Sequence, residues 1–378
     1  MVSLRIGILG TRGVPPRYGG FETFAAELST RLVRRGHEVA VYCREASEQR
    51  AASSEREGGP ARRSLQPARW NGVHRIVLPA VRHKYLETVS HTFLSALDAL
   101  RRRFDVVLLC NAANAFVLPL LRAARVPVAI NVDGIERRRR KWNALGRAVY
   151  ALGESLSVRF ANVVVADAEV IAEYYRRTHL VDPVMIPYGA EFPAEDDSDV
   201  LQRLQIESRN FSLYVSRFEP ENNPLEVAMA YQKLGRAPKL VMVGSAAYAP
   251  ELDAALRRQA GERILLPGAI YGRDYRTLQR NALLYIQATE VGGTHPAMIE
   301  AMGSGGCVVA LDTPENREVG GDAVRYFRLR PEETLSGTIR ECLSTADVMR
   351  AEARARAAEK YSWERVTDHY ERLFRRMA

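Results

Sequence analysis

The chain has 378 residues, 47% of them apolar and 26% charged, a length and composition that fit two domains with ordinary buried cores. No uncharged apolar run approaches the roughly 20 residues that cross a bilayer, and Met1-Val2-Ser3-Leu4-Arg5 runs straight into a strand-like segment, with no room for a signal peptide. Secretion and membrane spanning are therefore excluded and a cytoplasmic protein is expected. The net charge of +9 is uneven: 29 Lys and Arg stand against 17 Asp and Glu through Ala190, and 25 against 28 after it. A basic first half points that half at something anionic. Only five of the 54 basic residues are lysines, a skew that genome composition alone could produce.

In chain order, Arg5 to Gly10 reads as a short apolar strand ending in glycine. A loop rich in Pro and Gly follows (Thr11 to Gly20), and apolar spacing predicts a helix from Phe21 to about Arg35. Gly36-His37 closes it and Val39 to Cys43 is the next strand. The stretch from Glu45 to Arg69, nearly without large apolar residues, reads as a surface loop. The strand–helix–strand unit recurs at Val106 to Cys110, a helix through Leu120 and Val126 to Val132, and again at Ala161 to Ala166 with a helix from Glu169. Such repeats predict a parallel sheet with helices on both faces.

A polar break follows Met185 to Gly189, and a second series places strands at Phe211 to Ser216, Leu240 to Val243, Ile264 to Leu266, Leu283 to Ile286 and Cys307 to Leu311. The expected domains are 1–190 and 191–360, with a closing helix over 361–378 that returns to the first domain. Two doubly wound domains of this kind would face each other across a cleft at the carboxyl ends of their strands.

Three segments carry candidate chemistry. Gly19-Gly20-Phe21-Glu22 opens the first helix, where bare backbone N–H groups suit an anion, although a turn alone also calls for glycine. Arg217 follows the strand at Phe211 and precedes Phe218-Glu219-Pro220-Glu221-Asn222-Asn223; a guanidinium there suits a phosphate, and the plain alternative is a solvated Arg. Glu290 to Gly303 (Glu-Val-Gly-Gly-Thr-His-Pro-Ala-Met-Ile-Glu-Ala-Met-Gly) sets a Gly-Gly loop at another helix start, with Glu300 on that helix.

These segments resemble the family 4 glycosyltransferases of the GT-B fold, and most closely a bacterial rhamnosyltransferase-like subgroup from surface-polysaccharide synthesis. The carrying residues are Gly10-Thr11-Arg12-Gly13-Val14-Pro15, Arg17 to Phe24, Val132-Asp133-Gly134-Ile135-Glu136, Ile186 to Ala190, Arg217 to Asn223, Gly292 to Met302 and Tyr361-Ser362-Trp363-Glu364. The resemblance implies an α/β fold of two Rossmann-like doubly wound domains facing a central cleft. It implies a retaining, metal-independent transfer of a sugar, L-rhamnose from dTDP-L-rhamnose, to a lipid-linked saccharide, with no further cofactor. Arg217 would bind the donor diphosphate, Glu300 the ribose, and the amides around Gly293 and Thr294 the phosphates; Gly244 with Ser245, Ile270 and Tyr271 would hold base and ribose. Gly19 and Gly20, Asn222 and His295 complete the implied substrate contacts, His295 as a residue that caps or lines its helix.

Two positions depart from the wider family. Asn222 stands where a Lys is usual, and Gly292 where a Glu contacts the transferred sugar; a missing carboxylate suits a deoxy sugar. Asp133 has two level readings, a contact to acceptor or transferred sugar and an Asp-Gly turn whose carboxylate caps the backbone. Asp197-Ser198-Asp199 has the form of a metal-binding DxD but lies in the acidic break, where solvated linker is the better reading, so no metal is expected. Arg137, Arg138, Arg139, Arg140, Lys141 and Trp142 form a basic run ending in an aromatic, expected on an anionic membrane surface rather than on nucleic acid. Other classes remain open: a nucleotide-sugar 2-epimerase-type isomerase on the same fold, or a non-catalytic nucleotide-sugar sensor. Cys43, Cys110, Cys307 and Cys342 have no metal or redox spacing and read as buried thiols.

Overall fold

The computed structural model describes residues 2–16, 20–45, 68–81, 83, 86–138, 142–190, 192, 198–235, 237–246, 249–330 and 333–378. Two compact units emerge, one from Met1–Arg137, Trp142–Pro187 and Trp363–Ala378, the other from Tyr188–Ser362.

The first unit is built on an eight-stranded sheet: β1 (Arg5–Leu9), β2 (Glu38–Arg44), β3 (Arg69–Trp70), β4 (Val73–Leu78), β5 (Val106–Cys110), β6 (Val128–Asn131), β7 (Val163–Ala166) and β8 (Val184–Met185). Their order is β3-β4-β2-β1-β5-β6-β7-β8, and every pair is parallel except β3 with β4. Fully buried apolar runs such as Val106–Cys110 are what a sheet covered on both faces demands. Helices α1 (Gly20–Arg34), α2 (Leu86–Arg102), α3 (Leu118–Ala123), α4 (Ala144–Phe160) and α5 (Glu169–His179) make the crossovers. The helix expected through Leu120 differs: a 3-10 segment, Ala112–Val117, comes first and α3 restarts at Leu118. Pro119 explains the break, because proline fits the first helical turn and not an interior position. Strands β4 and β8 were not expected. Residues 46–67 of the expected surface loop lie outside the described residues.

The second unit has six parallel strands in the order β11-β10-β9-β12-β13-β14: β9 (Phe211–Val215), β10 (Lys239–Val243), β11 (Ile264–Gly268), β12 (Leu284–Gln287), β13 (Cys307–Leu311) and β14 (Arg325–Phe327). Its helices are α6 (Val200–Arg203), α7 (Pro224–Gln232), α8 (Pro250–Arg257), α9 (Gly272–Asn281), α10 (Pro296–Gly303), α11 (Pro314–Gly320) and α12 (Glu333–Tyr361), the last carrying a non-helical Thr345. β14 was not expected; it is three residues long and two of them are only half-buried.

In both sheets the strand order reverses beside the first strand, at β1 with β5 and at β9 with β12. A doubly wound sheet binds ligands outside the carboxyl ends of its strands at such a reversal, because the flanking crossovers leave on opposite faces and open a crevice there. Helix α13 (Trp363–Met377) completes the first unit against α1. Phe24 meets Trp363 and Tyr370 at ring distances of 6.2 and 5.4 Å. Arg35 bonds Glu364, Asp368 and Glu371 at 2.8, 2.6 and 2.9 Å. All four cysteines are buried free thiols. Among the described residues, no helix is long and apolar enough to cross a membrane.

Candidate functional site

The second unit brings four loops to one edge of its sheet, after β11, β10, β9 and β12 in that spatial order. Printed in their backbone bonds is a continuous frame: Gly244 N–H donates to Gly268 O (3.0 Å), Phe218 N–H to Ser245 O (2.9 Å) and Glu290 N–H to Glu221 O (2.9 Å). Gly244 has no substitute, since a Cβ there would stand 1.9 Å from Ser216 O. Gly268 has φ +86°, a left-handed turn that glycine enters without strain.

Arg217 projects from this frame with its side chain 47% exposed and a 3.5 Å ion pair to Glu219. Its main chain is held from behind. Asn222, buried, donates its side-chain amide to Arg217 O (2.6 Å) and accepts from the Tyr214 hydroxyl on its own carbonyl (2.6 Å). Asn222 therefore braces the arginine loop, where the resemblance implied a substrate contact. Asn223, in the left-handed region at φ +54°, ties the same loop to Ala288 O (2.8 Å) and Glu290 Oε1 (3.1 Å).

Helix α10 begins at the Gly292–His295 loop. Gly293 and Thr294 are buried. His295 occupies the N-cap position, yet its side chain does not cap the helix. Its ring instead covers Gly292: a Cβ at that position would meet His295 Cε1 at 2.5 Å. Glu300, one turn in, accepts from the Tyr275 hydroxyl of α9, and Gln279 Nε2 donates to that hydroxyl at 2.8 Å. Burial and the Glu300 carboxylate hold the Tyr275 pKa well above its ordinary value, so it stays a donor. Ile270 packs on the core, while Tyr271 is exposed just before α9.

The first unit gathers a buried ionic cluster at the carboxyl edge of β1 and β2 that sequence reading missed. Glu22, buried on α1, accepts from the Arg12 N–H at 3.1 Å. Burial raises its pKa, against that bond and the Arg12 and Arg44 charges. Arg44 ends β2 buried, 3.5 Å from Glu87 and 3.2 Å from Thr88 Oγ1. His91 on α2 is fully buried, and burial with the Arg44 charge brings its pKa down to about 4, so it is neutral near pH 7. Arg12 and Glu22 belong to the first two motifs; Arg44 and His91 sit in apolar-spaced segments that carried no signal. A Cβ on Gly20 at the start of α1 would meet nothing within 4 Å, while Gly19 lies outside the described residues. Asp133 follows β6 in the left-handed region (φ +55°), and the cap of its turn is Asn131, whose Oδ1 accepts the Asp133 N–H at 3.0 Å. The turn expected to be capped by Asp133 is capped by its neighbour, an Asx turn two residues long.

The basic run is corrected at both ends. Arg137 is turned inward, 3.4 Å from Glu154 and stacked over Tyr174 at 5.4 Å, with a hydrogen bond to the Tyr174 hydroxyl. Buried Glu154 needs that cation. Trp142 lies back on α4, 5.1 Å from Tyr150 and against Gly146, and is half-buried. Arg138 ends a 3-10 turn, and Arg139, Arg140 and Lys141 lie outside the described residues. In the acidic break, Asp197 is likewise outside them, Asp199 pairs with Arg203 at 2.8 Å, and the described residues hold no group of three metal-ligating side chains.

A parallel-sheet unit presenting an arginine, a helix start and a carboxylate at its strand reversal defines a nucleotide-binding α/β class. Two family models then match, "Glycosyl transferase 4-like domain" over residues 19–189 and "Glycosyl transferases group 1" over 197–360. The chain belongs to the family 4 glycosyltransferases and has the GT-B fold. Solved structures agree over nearly the whole chain. A sucrose-phosphate synthase of Thermosynechococcus elongatus matches with TM-score 0.80 at 16% identity, over 99% of this chain and 98% of that one. Anabaena HepE in complex with UDP and glucose matches with TM-score 0.75 at 16% identity, over 98% and 99%. The trehalose 6-phosphate synthase of Burkholderia multivorans matches with TM-score 0.70 at 12% identity, over 99% and 97%. No curated protein matches the chain by sequence.

Proposed function

We propose that this glycosyltransferase moves L-rhamnose from dTDP-L-rhamnose to a lipid-linked saccharide at the cytoplasmic face of a membrane, with retention and without metal. In the transfer, the bond from the sugar C1 to the diphosphate oxygen breaks and the acceptor oxygen bonds C1 on the same face. The acceptor proton leaves on the departing phosphate. Arg217 and the amides at the start of α10 would stabilise the charge that develops there, and fixed donors do so with little reorganisation. Glu300, steadied by Tyr275, suits the ribose hydroxyls as a hydrogen-bond acceptor.

The observation that carries the choice of sugar is the His295 ring over Gly292. An apolar-edged imidazole takes the space that a carboxylate side chain would need, and a hexose hydroxyl loses its acceptor there. A 6-deoxy sugar makes no such demand.

The lipid-linked acceptor draws on a second feature of the first unit. Helices α2 and α4 are inverted: they bury small and polar residues (Thr92, Ser95 and Ala96; Gly153, Glu154 and Ser157) and expose Leu86, Val89, Phe93 and Leu94, and Leu145, Val149 and Leu152. Both start at the carboxyl edge of the sheet. Water-facing apolar stripes at helical spacing on a basic unit fit the interface of an anionic bilayer.

The test is a melting-temperature screen with UDP-glucose, GDP-mannose and dTDP-L-rhamnose, followed by product analysis with and without a lipid-diphosphate saccharide. The largest stabilisation is expected with dTDP-L-rhamnose, and release of dTDP with sugar transfer only when acceptor is present. A sugar isomerised without acceptor, or stabilisation by the other donors alone, overturns the reading. Phe93→Ser with Val149→Ser should reduce sedimentation with anionic vesicles and leave donor binding unchanged.

A further inference from the structure

Arg209, Arg280, Arg350 and Arg354 line one cavity of about 540 Å³ in the second unit. A single carboxylate faces them. Asp347 bonds Arg350 Nη1 at 2.9 Å, but its side chain is 97% exposed and solvent screens it. Arg209 precedes β9, Arg280 closes α9, and Arg350 and Arg354 come from α12 beyond Thr345. Phe192 forms an apolar wall so close to Gly303 that a Cβ there would stand 1.7 Å from its ring.

The main chain answers part of this charge. Arg209 Nη1 donates to Ala282 O (2.7 Å) and Gly305 O (3.1 Å), and Arg354 Nε to Gly303 O (3.2 Å). Those carbonyls end α9 and α10, the negative poles of the two helices. The remainder is unanswered. Arg350 Nε is buried without a hydrogen-bond acceptor, and its Nη2 reaches Leu283 O only at 3.5 Å. Burial and the three neighbouring arginines hold the Arg209 pKa below its ordinary value. Four guanidiniums around one concave space present more donors and more charge than the carbonyls can balance. Tetrahedral phosphate oxygens would supply both the acceptors and the charge.

The cavity lies by the amino ends of β9, β12 and β13, the opposite sheet edge from Arg217, Gly244 and Gly292. Five-residue strands separate the two edges by roughly 16 Å. An anion here would share no residue with the donor site.

We propose that this cavity is a second anion site, built for a phosphate monoester or diphosphate carried by a small solute or by a lipid headgroup. The inference does not depend on which sugar is transferred.

Its test is calorimetric titration of inorganic pyrophosphate into the full chain, in three forms: wild type, Arg217→Ala, and Arg217→Ala with Arg280→Gln and Arg350→Gln. The Arg217→Ala protein should keep one saturable pyrophosphate site, and the triple variant should bind at least about tenfold more weakly, as expected when two charge-assisted contacts are lost. Without ligand, the Arg280→Gln, Arg350→Gln protein should melt no lower than wild type, because like-charge crowding is relieved. Sedimentation with phosphatidic acid vesicles, lost in the same double variant, would assign the phosphate to a lipid headgroup; pyrophosphate binding alone would assign it to a solute. Three results overturn the proposal: neither probe binds the Arg217→Ala protein, binding survives the two glutamines, or the unliganded double variant melts well below wild type. The last would make the arginines helix caps and nothing more.

Discussion

Arg217→Ala separates function from stability more sharply than any other change in this protein. Its only printed ion pair, to Glu219 at 3.5 Å, joins a side chain that is 47% exposed, and such a pair is worth about 0–1 kcal/mol. For a chain of this size the melting temperature should move by no more than about 2–4 °C. The loop should hold its shape, because Arg217 O keeps its bonds from Asn222 and from the Glu219 N–H at 2.8 Å. Against a departing diphosphate, loss of one fixed cationic donor should cost on the order of 10²–10³ in kcat. Arg217→Lys should recover part of that, restoring charge without the forked geometry. The assay pairs turnover at saturating sugar donor with a melting curve on the same preparation. Wild-type turnover in the alanine variant would remove Arg217 from the reaction, and a loss that tracks unfolding would reassign it to the fold.

Asn222→Ala takes away a buried amide bonded to Arg217 O, so stability should fall by about 1–3 kcal/mol and donor KM should rise; added to Arg217→Ala it should change turnover no further, a comparison that steady-state kinetics on the double variant decides. Tyr275→Phe should raise donor KM several-fold with little change in kcat, because Glu300 loses the hydroxyl that orients it while the reacting bond keeps its surroundings. Glu371 sets an acid limb. Burial pushes its pKa up, but hydrogen bonds from Arg35, Arg375 and His37 outweigh that and bring it down to about 2. A carboxyl depressed from about 4.5 to about 2 contributes stability that is present in full above pH 4.5 and lost as the pH falls towards 2, on the order of 3 kcal/mol. Denaturant titrations from pH 6 to pH 2 should show that loss in wild type and a flatter profile in Glu371→Gln.

Where a segment's own chemistry decides its structure, the sequence was legible. Val106–Cys110 and Cys307–Leu311 form strands over the residues expected, because an uninterrupted apolar run inside a covered parallel sheet has one stable place. β4 was missed because His74 and Arg75 interrupt its apolar pattern; Arg75 is nonetheless buried, donating to Val14 O at 2.8 Å. That partner lies 61 residues away in sequence. The same limit hid the site's finer parts. The spacing around Asn222 and His295 placed both near Arg217 and α10, but whether each touches ligand or neighbour depends on Arg217 O and on the empty Cβ position of Gly292. The inverted faces of α2 and α4 could not be read from periodicity, since apolar spacing looks the same whether the stripe turns to the sheet or to water.

Helix α13 makes the first unit a discontinuous one. Its Tyr370 hydroxyl accepts from Asn131 Nδ2 at 2.9 Å, beside the turn that carries Asp133, so a segment some 240 positions downstream finishes the wall behind that turn. During synthesis the first unit must therefore wait, with Phe24 and its neighbours uncovered, while the entire second unit is made. An order of assembly follows from connectivity: the donor-binding half can mature first, and the half that carries Asp133 closes last. Expression of residues 1–187 alone would yield an α/β sheet with one flank unroofed, a species suited to holding by a chaperone rather than to catalysis.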